Sequence, residues 1–207
     1  TGTCTATSFA GDGSNLTGIS TGVTSDGQDN TVAGTNAGDS FNTSGDVASG
    51  NTLFGKDAGT AINSGDYNTA VGENALKANT TASKNTAVGM DALAANQTGT
   101  HNTAVGYSAG KATTIGHSNT NIGSESGDAI TEGEYNTSLG AYSLSALTTS
   151  DNNTAVGSRA LQNNTYSGNT AIGSGALYTN TSGYSNVAAG MHSLYTNNGN
   201  NNTGIGY

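Results

Sequence analysis

A short phrase of two polar residues, two mostly apolar ones and a glycine, Asn-Thr-Ala-Val-Gly or a near variant, returns eleven times along the chain. The copies begin at Asn30, Asn51, Asn68, Asn85, Asn102, Asn119, Asn136, Asn153, Asn169, Asn186 and Asn202. The first spacing is 21 residues, a run of 17s follows, and the last three are 16, 17 and 16. A period this strict means that each repeat is one structural unit stacked on the next. With the leading Asn at position 0, position 1 is Thr except at Val187, and position 4 is always Gly. Position 3 is mostly branched or large and apolar, as in Phe54, Val71, Val88, Val105, Ile122, Leu139, Val156, Ile172 and Ile205. Position 7 is Ala or Ser in every full repeat, and position 8 is Leu or Gly.

Thr and Val favour extended backbone, and helical repeats need more residues per unit and fewer glycines. The pattern therefore predicts an all-β repeat β-solenoid, a parallel β-roll of about 17 residues per coil, over residues 30–207. Residues 1–29 lack the repeat and are expected to form an extended lead-in, or a strand contacting a neighbour, around Phe9, Leu16, Ile19 and Val23. Successive side chains of a strand point to opposite faces. Placing the branched residue of position 3 inward also turns the Thr of position 1 inward or to the strand edge. The sequence reading accordingly assigns Asn68, Val71, Gly72 and Leu76, with Asn85, Val88, Gly89 and Leu93, to the structural repeat, with Val and Leu inside. The pair at positions 7 and 8 is expected to begin a second short strand. The leading Asn is expected to form an amide ladder or a turn.

Composition sharpens this picture. The 207 residues are 32% hydrophobic and 9% charged, with 32 glycines and neither Pro nor Trp. Such a composition alone reads as disorder, and the fixed period overturns that reading. One coil buries a Val, a Leu, a Thr methyl and a small residue, which is a thin core. A homo-oligomer of cyclic symmetry, a trimer or a longer polymer, is the expected remedy. The formal net charge of −9 and five scattered basic residues argue against nucleic acid and against an anionic membrane surface. No stretch is apolar enough to insert in a membrane. Cys4 is the sole cysteine, so no intrachain disulfide and no cysteine-based zinc site is expected. A chain that begins at Thr1 and not Met is expected to have lost a leader or a larger N-terminal part.

The segments Asn68–Leu76 (NTAVGENAL), Asn85–Leu93 (NTAVGMDAL) and Asn169–Leu177 (NTAIGSGAL) resemble repeats of bacteriophage tail-fibre proteins and related bacterial surface proteins. They also look like a longer relative of the head repeats of trimeric autotransporter adhesins. The resemblance covers residues 30–207, and Ala6–Ile19 resembles a segment of marine phage fibre proteins. It implies a three-chain left-handed parallel β-roll, a non-enzymatic tail-fibre segment in host attachment, and a place on the virion. The alternative is a bacterial extracellular filament or surface adhesin.

Candidate chemistry adds little to this. His101, His117 and His192 occupy different phases, and no metal-ligand spacing or nucleophile elbow is present. Gly11–Asn15 and Asp26–Asn30 place oxygen ligands close together, but neither completes a calcium loop, and both read as turns. Glu132 and Glu134 could serve a glycosidase only with a break in the repeat around them. No catalytic residue, cofactor or metal is expected. Exposed tyrosines, Tyr107, Tyr142, Tyr178 and Tyr195, are the candidates for contact with a host-surface glycan, with packing between outer loops as the plainer role. An ice-binding solenoid needs outward threonines, and the inward assignment of position 1 weighs against it. Nine Asn-x-Ser/Thr sequons, Asn79, Asn96 and Asn180 among them, follow from composition.

Overall fold

The computed structural model describes residues 24–41 and 47–207. It is an all-β parallel solenoid with one three-residue strand per coil. The strands are β1 (Thr24–Ser25), β2 (Thr31–Ala33), β3 (Thr52–Phe54), β4 (Thr69–Val71), β5 (Thr86–Val88) and β6 (Thr103–Val105), followed by β7 (Thr120–Ile122), β8 (Thr137–Leu139), β9 (Thr154–Val156), β10 (Thr170–Ile172), β11 (Val187–Ala189) and β12 (Thr203–Ile205). They form one 12-stranded sheet in sequence order. From β2 onward all pairs are parallel and in register, so Thr meets Thr and position 3 meets position 3. Eleven strands at ~4.8 Å make a rod about 50 Å long. β1 turns back antiparallel onto β2, so this part of the lead-in pairs with its own chain. Phe9, Leu16, Ile19 and Val23 lie outside the described residues.

The inward face is the reverse of the one the sequence reading assigned. Position 2 points into the coil, where Leu53, Ala70, Ala87, Ala104, Ala155, Ala171 and Ala188 are fully buried. Positions 1 and 3 therefore point out. Val71 is 38% exposed, Val105 36%, Leu139 43% and Ile172 50%, while Val88 is half-buried. The physical reason is room. A 17-residue coil also buries the Asn of position 0, the Ala or Ser of position 7 and the Leu of position 8, and strand parity places position 2, not 3, on the side of that Asn. Leu76, Leu93, Leu144, Leu161 and Leu177 are fully buried, as expected.

The second strand does not form. Positions 7 and 8 lie in a turn, and Leu76, Leu93, Leu144, Leu161 and Leu177 adopt φ between 48° and 52°. That left-handed conformation is costly for a branched side chain. It is held by burial of the Leu and by bonds between coils, such as Leu76 N–H to Ala92 O (3.1 Å) and Leu93 N–H to Ala109 O (3.0 Å). Every side of the coil is thus bonded to its neighbour, although only one side meets the definition of a strand.

The Asn of position 0 closes most of the coils. Asn68 Nδ2 donates to Ala82 O (2.9 Å), Asn102 Nδ2 to Gly116 O (2.8 Å) and Asn119 Nδ2 to Gly133 O (2.7 Å), each fourteen residues on. Its Oδ1 accepts the backbone N–H of the next Asn along the rod. Asn68 N–H reaches Asn51 (2.9 Å), Asn102 reaches Asn85 (2.9 Å), and Asn186 reaches Asn169 (3.0 Å). The predicted amide ladder is present, and it is buried.

Gly at position 4 is required by geometry. Gly72 has φ +137°, and a Cβ there would lie 2.5 Å from the carbonyl oxygen of Gly89 in the next coil. At position 8, Gly alternates with Leu under a volume constraint. Where Gly59 replaces Leu, Leu53 and Ile62 fill the space, and a Cβ on Gly59 would meet their methyls at 2.9 and 2.8 Å. Near Gly110 and Gly127 the space is taken by Asn121. Asn121, Ser126, Ser138 and Ser143 form a buried polar seam, with Ser138 Oγ donating to Asn121 Oδ1 at 2.7 Å and Ser126 Oγ 2.6 Å from Ser138 Oγ. The seam lies between two apolar clusters, one ending at Ala109 and the other beginning at Ile130.

Chemical denaturation of single variants checks this arrangement. Gly72→Ala combines strained backbone with a steric clash and should cost at least about 3 kcal/mol. Asn102→Ala strands the Asn119 N–H and the Gly116 carbonyl and should cost about 3 kcal/mol. Val88→Ser lies on the outer face and should cost less than about 1 kcal/mol in the isolated chain. A Val88→Ser loss as large as that of Asn102→Ala would contradict the assigned faces.

Candidate functional surface

In-register stacking turns every outward position into a column. The sheet presents Thr at position 1 beside the apolar residues of position 3, from β2 to β12. The threonines are half-buried between their neighbours up to Thr170, and Ile205 on β12 is 83% exposed. Just past the corner glycine, Met90, Tyr107 and Met191 at position 5 are also exposed. A strip three residues wide and about 50 Å long presents roughly 500 Å². Only the position 3 column and these position 5 residues of that strip are apolar, and the largest apolar patch on a typical monomer, about 300–600 Å², is often functional. Sequence reasoning missed this face because it took the largest apolar residue to be the inner one. The signal was present in position 2, which is Ala, Ser or Gly in eight of eleven copies and is flanked by the Asn and Gly of the same strand parity.

The four tyrosines singled out from the sequence do not form one site. Tyr107 and Tyr142 belong to coils two apart. Tyr142 is half-buried, with the guanidinium of Arg159 6.0 Å from its ring centre. Tyr178 and Tyr195 do come together, stacked in successive coils with centroids 4.9 Å apart and planes 4° from parallel. His192 meets the Tyr195 ring edge-on at 5.0 Å. The stack engages one face of each ring and leaves Tyr195 exposed. A separate cleft in the outer loops is lined by Tyr166 and Tyr184, which the sequence reading did not select.

Charged residues mainly tie coils together. Lys56 pairs with Glu73 (3.0 Å), Lys77 with Asp57 (3.4 Å) and Lys111 with Asp91 (3.0 Å), each across at least one coil boundary. The hydrogen bond from Lys111, with a further one from Asn74, holds the Asp91 carboxyl below the usual carboxylate range. Burial pushes the Asp128 carboxyl above its ordinary value, nearby Glu125 adds to the shift, and Oδ1 has no hydrogen-bond partner. His117 Nε2 lies 2.7 Å from Glu134 Oε1, which engages one of the two glutamates considered for glycosidase chemistry. Asp26 accepts from the backbone N–H groups of Gln28 (3.0 Å) and Asn30 (2.9 Å), which makes Asp26–Asn30 a turn. Gly11–Asn15 lies outside the described residues. Among the described residues no group of three or more His, Cys, Asp or Glu could hold a metal, and no helix is long and apolar enough to cross a membrane. The sequon asparagines Asn79, Asn96 and Asn180 are fully buried and donate to backbone carbonyls, which leaves no access for a glycan in the folded chain.

Comparison with known protein families, with curated proteins and with solved structures returned no match.

The electrostatics give a pH test. The folded Asp128 carboxyl holds its proton more tightly than the unfolded one, so charging it destabilises the fold. The penalty is absent below the ordinary carboxylate value of 3.8, grows as the pH rises through the folded value and is complete above it. Asp128→Asn should therefore unfold at higher denaturant than the parent chain at pH 7. That gain should shrink on acidification and vanish at about pH 3. An equal gain at both pH values would mean that burial of the charge is not the cause.

Proposed function

We propose that this chain is a non-enzymatic segment of a bacteriophage tail fibre, a shaft or head on the virion that takes part in host attachment. It assembles as a homotrimer through the Thr-and-aliphatic face of the sheet. The observation that carries this reading is the unbroken outward column of apolar residues along the rod, Val71, Val105, Leu139 and Ile172 being its most exposed members between β4 and β10. A single strip of roughly 500 Å² falls short of the ~800 Å² per partner of a standard stable interface. Around a three-fold axis each strip meets two neighbours, and the position 5 residues extend the contact on one side. Cyclic closure also hides the apolar column, whereas an open face would favour uncontrolled association. A trimeric rod repeats any weak glycan contact along its length and around its axis, which raises avidity without a strong single site. A bacterial extracellular filament or surface adhesin uses the same physics and is the alternative owner of such a rod.

Ice binding is the second reading, and a specific observation favours it. The threonine column faces outward, contrary to the sequence expectation that had weighed against it. The neighbouring column argues the other way. Its residues range from Ala33 and Ala189 to Phe54 and Leu139, so it offers no uniform spacing to a crystal lattice and suits irregular packing against protein.

Light scattering on the purified chain decides between a trimer and a monomer. Three times the 20.3 kDa chain mass is expected, and the double variant V88E/V105E should run as a monomer. A folded monomer at micromolar concentration, together with thermal hysteresis in freezing assays, would replace the fibre reading with the ice-binding one. Labelling of virion fibres by an antibody to the chain should identify its place, and labelling of free cell-surface filaments would favour the adhesin.

A further inference from the structure

The last loops of three successive coils border an open surface cleft of about 450 Å³, within the usual size range of small-molecule sites. Its cause is a break in the repeat. The coil beginning at Asn153 has 16 residues where the two flanking it, beginning at Asn136 and Asn169, have 17. At its final corner Gly168 (φ +74°) takes the left-handed place held by Asn152 (φ 58°) and Ser185 (φ 54°) in those flanking coils. A Cβ on Gly168 would meet nothing closer than Ser185 Oγ at 3.6 Å, so the short loop leaves open space where its neighbours carry side chains. The closing bond of this coil is rearranged too, with Asn153 Nδ2 donating to Asp151 O (3.2 Å) and Asn164 Nδ2 to Tyr166 O (2.6 Å).

We propose that this cleft binds an uncharged pyranose unit of a surface polysaccharide, with Tyr166 and Tyr184 as the sugar-contacting rings. The proposal rests on the attachment reading above and gives it a site. Tyr166 and Tyr184 are 46% and 45% exposed, and an amphipathic ring offers a sugar both an apolar face and a hydroxyl. The rest of the lining is neutral and hydrogen-bonding. Ser150 Oγ donates to Thr165 O (2.7 Å), which leaves its lone pairs to accept from a sugar hydroxyl. Ser167 Oγ accepts from Asp151 N–H (3.0 Å), which leaves its own proton to donate. No Lys, Arg, Asp or Glu lines the cleft, so nothing there selects for a carboxylate, sulfate or phosphate. The same elements occur nowhere else in the repeat, since no other 16-residue coil lies between two coils of 17.

Saturation-transfer NMR with lactose, maltose, a mannobiose and sialyllactose tests this on the assembled protein, with the mass of each sample measured in parallel. At least one neutral disaccharide should show transfer, and sialic acid should add nothing to lactose. Tyr184→Ala should weaken that binding about tenfold, as loss of one aromatic contact implies. Gly168→Asn should abolish it by filling the cleft, and Asn at this corner is compatible with the fold because Asn152 and Asn201 already occupy it in other coils. Equal binding by parent and both variants, or no transfer from any neutral sugar, overturns the proposal. A trimer that binds none of these sugars would sink the cleft and leave the shaft standing. A monomer that binds them through Tyr184 would do the reverse.

Discussion

The buried asparagine ladder is the constraint on which the rest of the rod depends. Each side chain uses both ends of its amide. In most coils Nδ2 closes its own coil onto a carbonyl fourteen residues ahead, and Oδ1 takes the backbone N–H of the equivalent Asn in the next coil, as at Asn102 with Gly116 and Asn119. A buried polar group without a partner is expensive, so a coil displaced by one residue would strand several such groups at once. The ladder therefore holds the stacking in register. Register in turn makes β2 to β12 a parallel sheet in which like meets like, and it converts each phase of the repeat into a column along the rod.

With register set, the core is a problem of volume. A 17-residue coil has room for the side chain of position 2, a small residue at position 7 and one or two larger side chains, and the chain supplies that bulk in different ways. Leu at position 8 is the common solution. Coils with Gly there place bulk at position 2 or three residues further on, as Leu53 and Ile62 do around Gly59. The polar seam of Asn121, Ser126, Ser138 and Ser143 is a third solution, fully buried and joined by short hydrogen bonds. It divides the apolar core between two clusters. Close packing tolerates exchange of residues between sites when total volume is kept.

Because the inside is so small, most of the chain's variety is outside. The outer sheet face carries an apolar column that an isolated rod would leave exposed, while the loops carry polar residues and most of the tyrosines. Three lysines pair with carboxylates of a neighbouring coil, as in Lys56 with Glu73 and Lys111 with Asp91, and add modest support at the surface. A shortened coil changes only its own loop, since the ladder and the sheet continue past it. That separation lets the rod keep its register while a single loop departs from the rule, as at Gly168.

The architecture was legible in the residues themselves. The period, the always-present Gly at position 4 and the Asn at position 0 specify a stack of coils, and the structure bears out the all-β solenoid, the amide ladder and the buried Leu76 and Leu93. Which face of the strand points inward was not legible. Strand alternation fixes only that positions 1 and 3 oppose position 2, and hydrophobicity favoured burying Val71, Val88 and Val105. The turn at positions 7 and 8 was likewise unreadable, because a Leu at positive φ contradicts its own local preference and is held there by contacts from neighbouring coils. Periodicity along one chain is a local property and survives in the sequence. The choice of face, and the cleft formed where one coil falls a residue short, depend on how much space a closed coil leaves inside and on what lies in the coils above and below, and only the folded stack decides them.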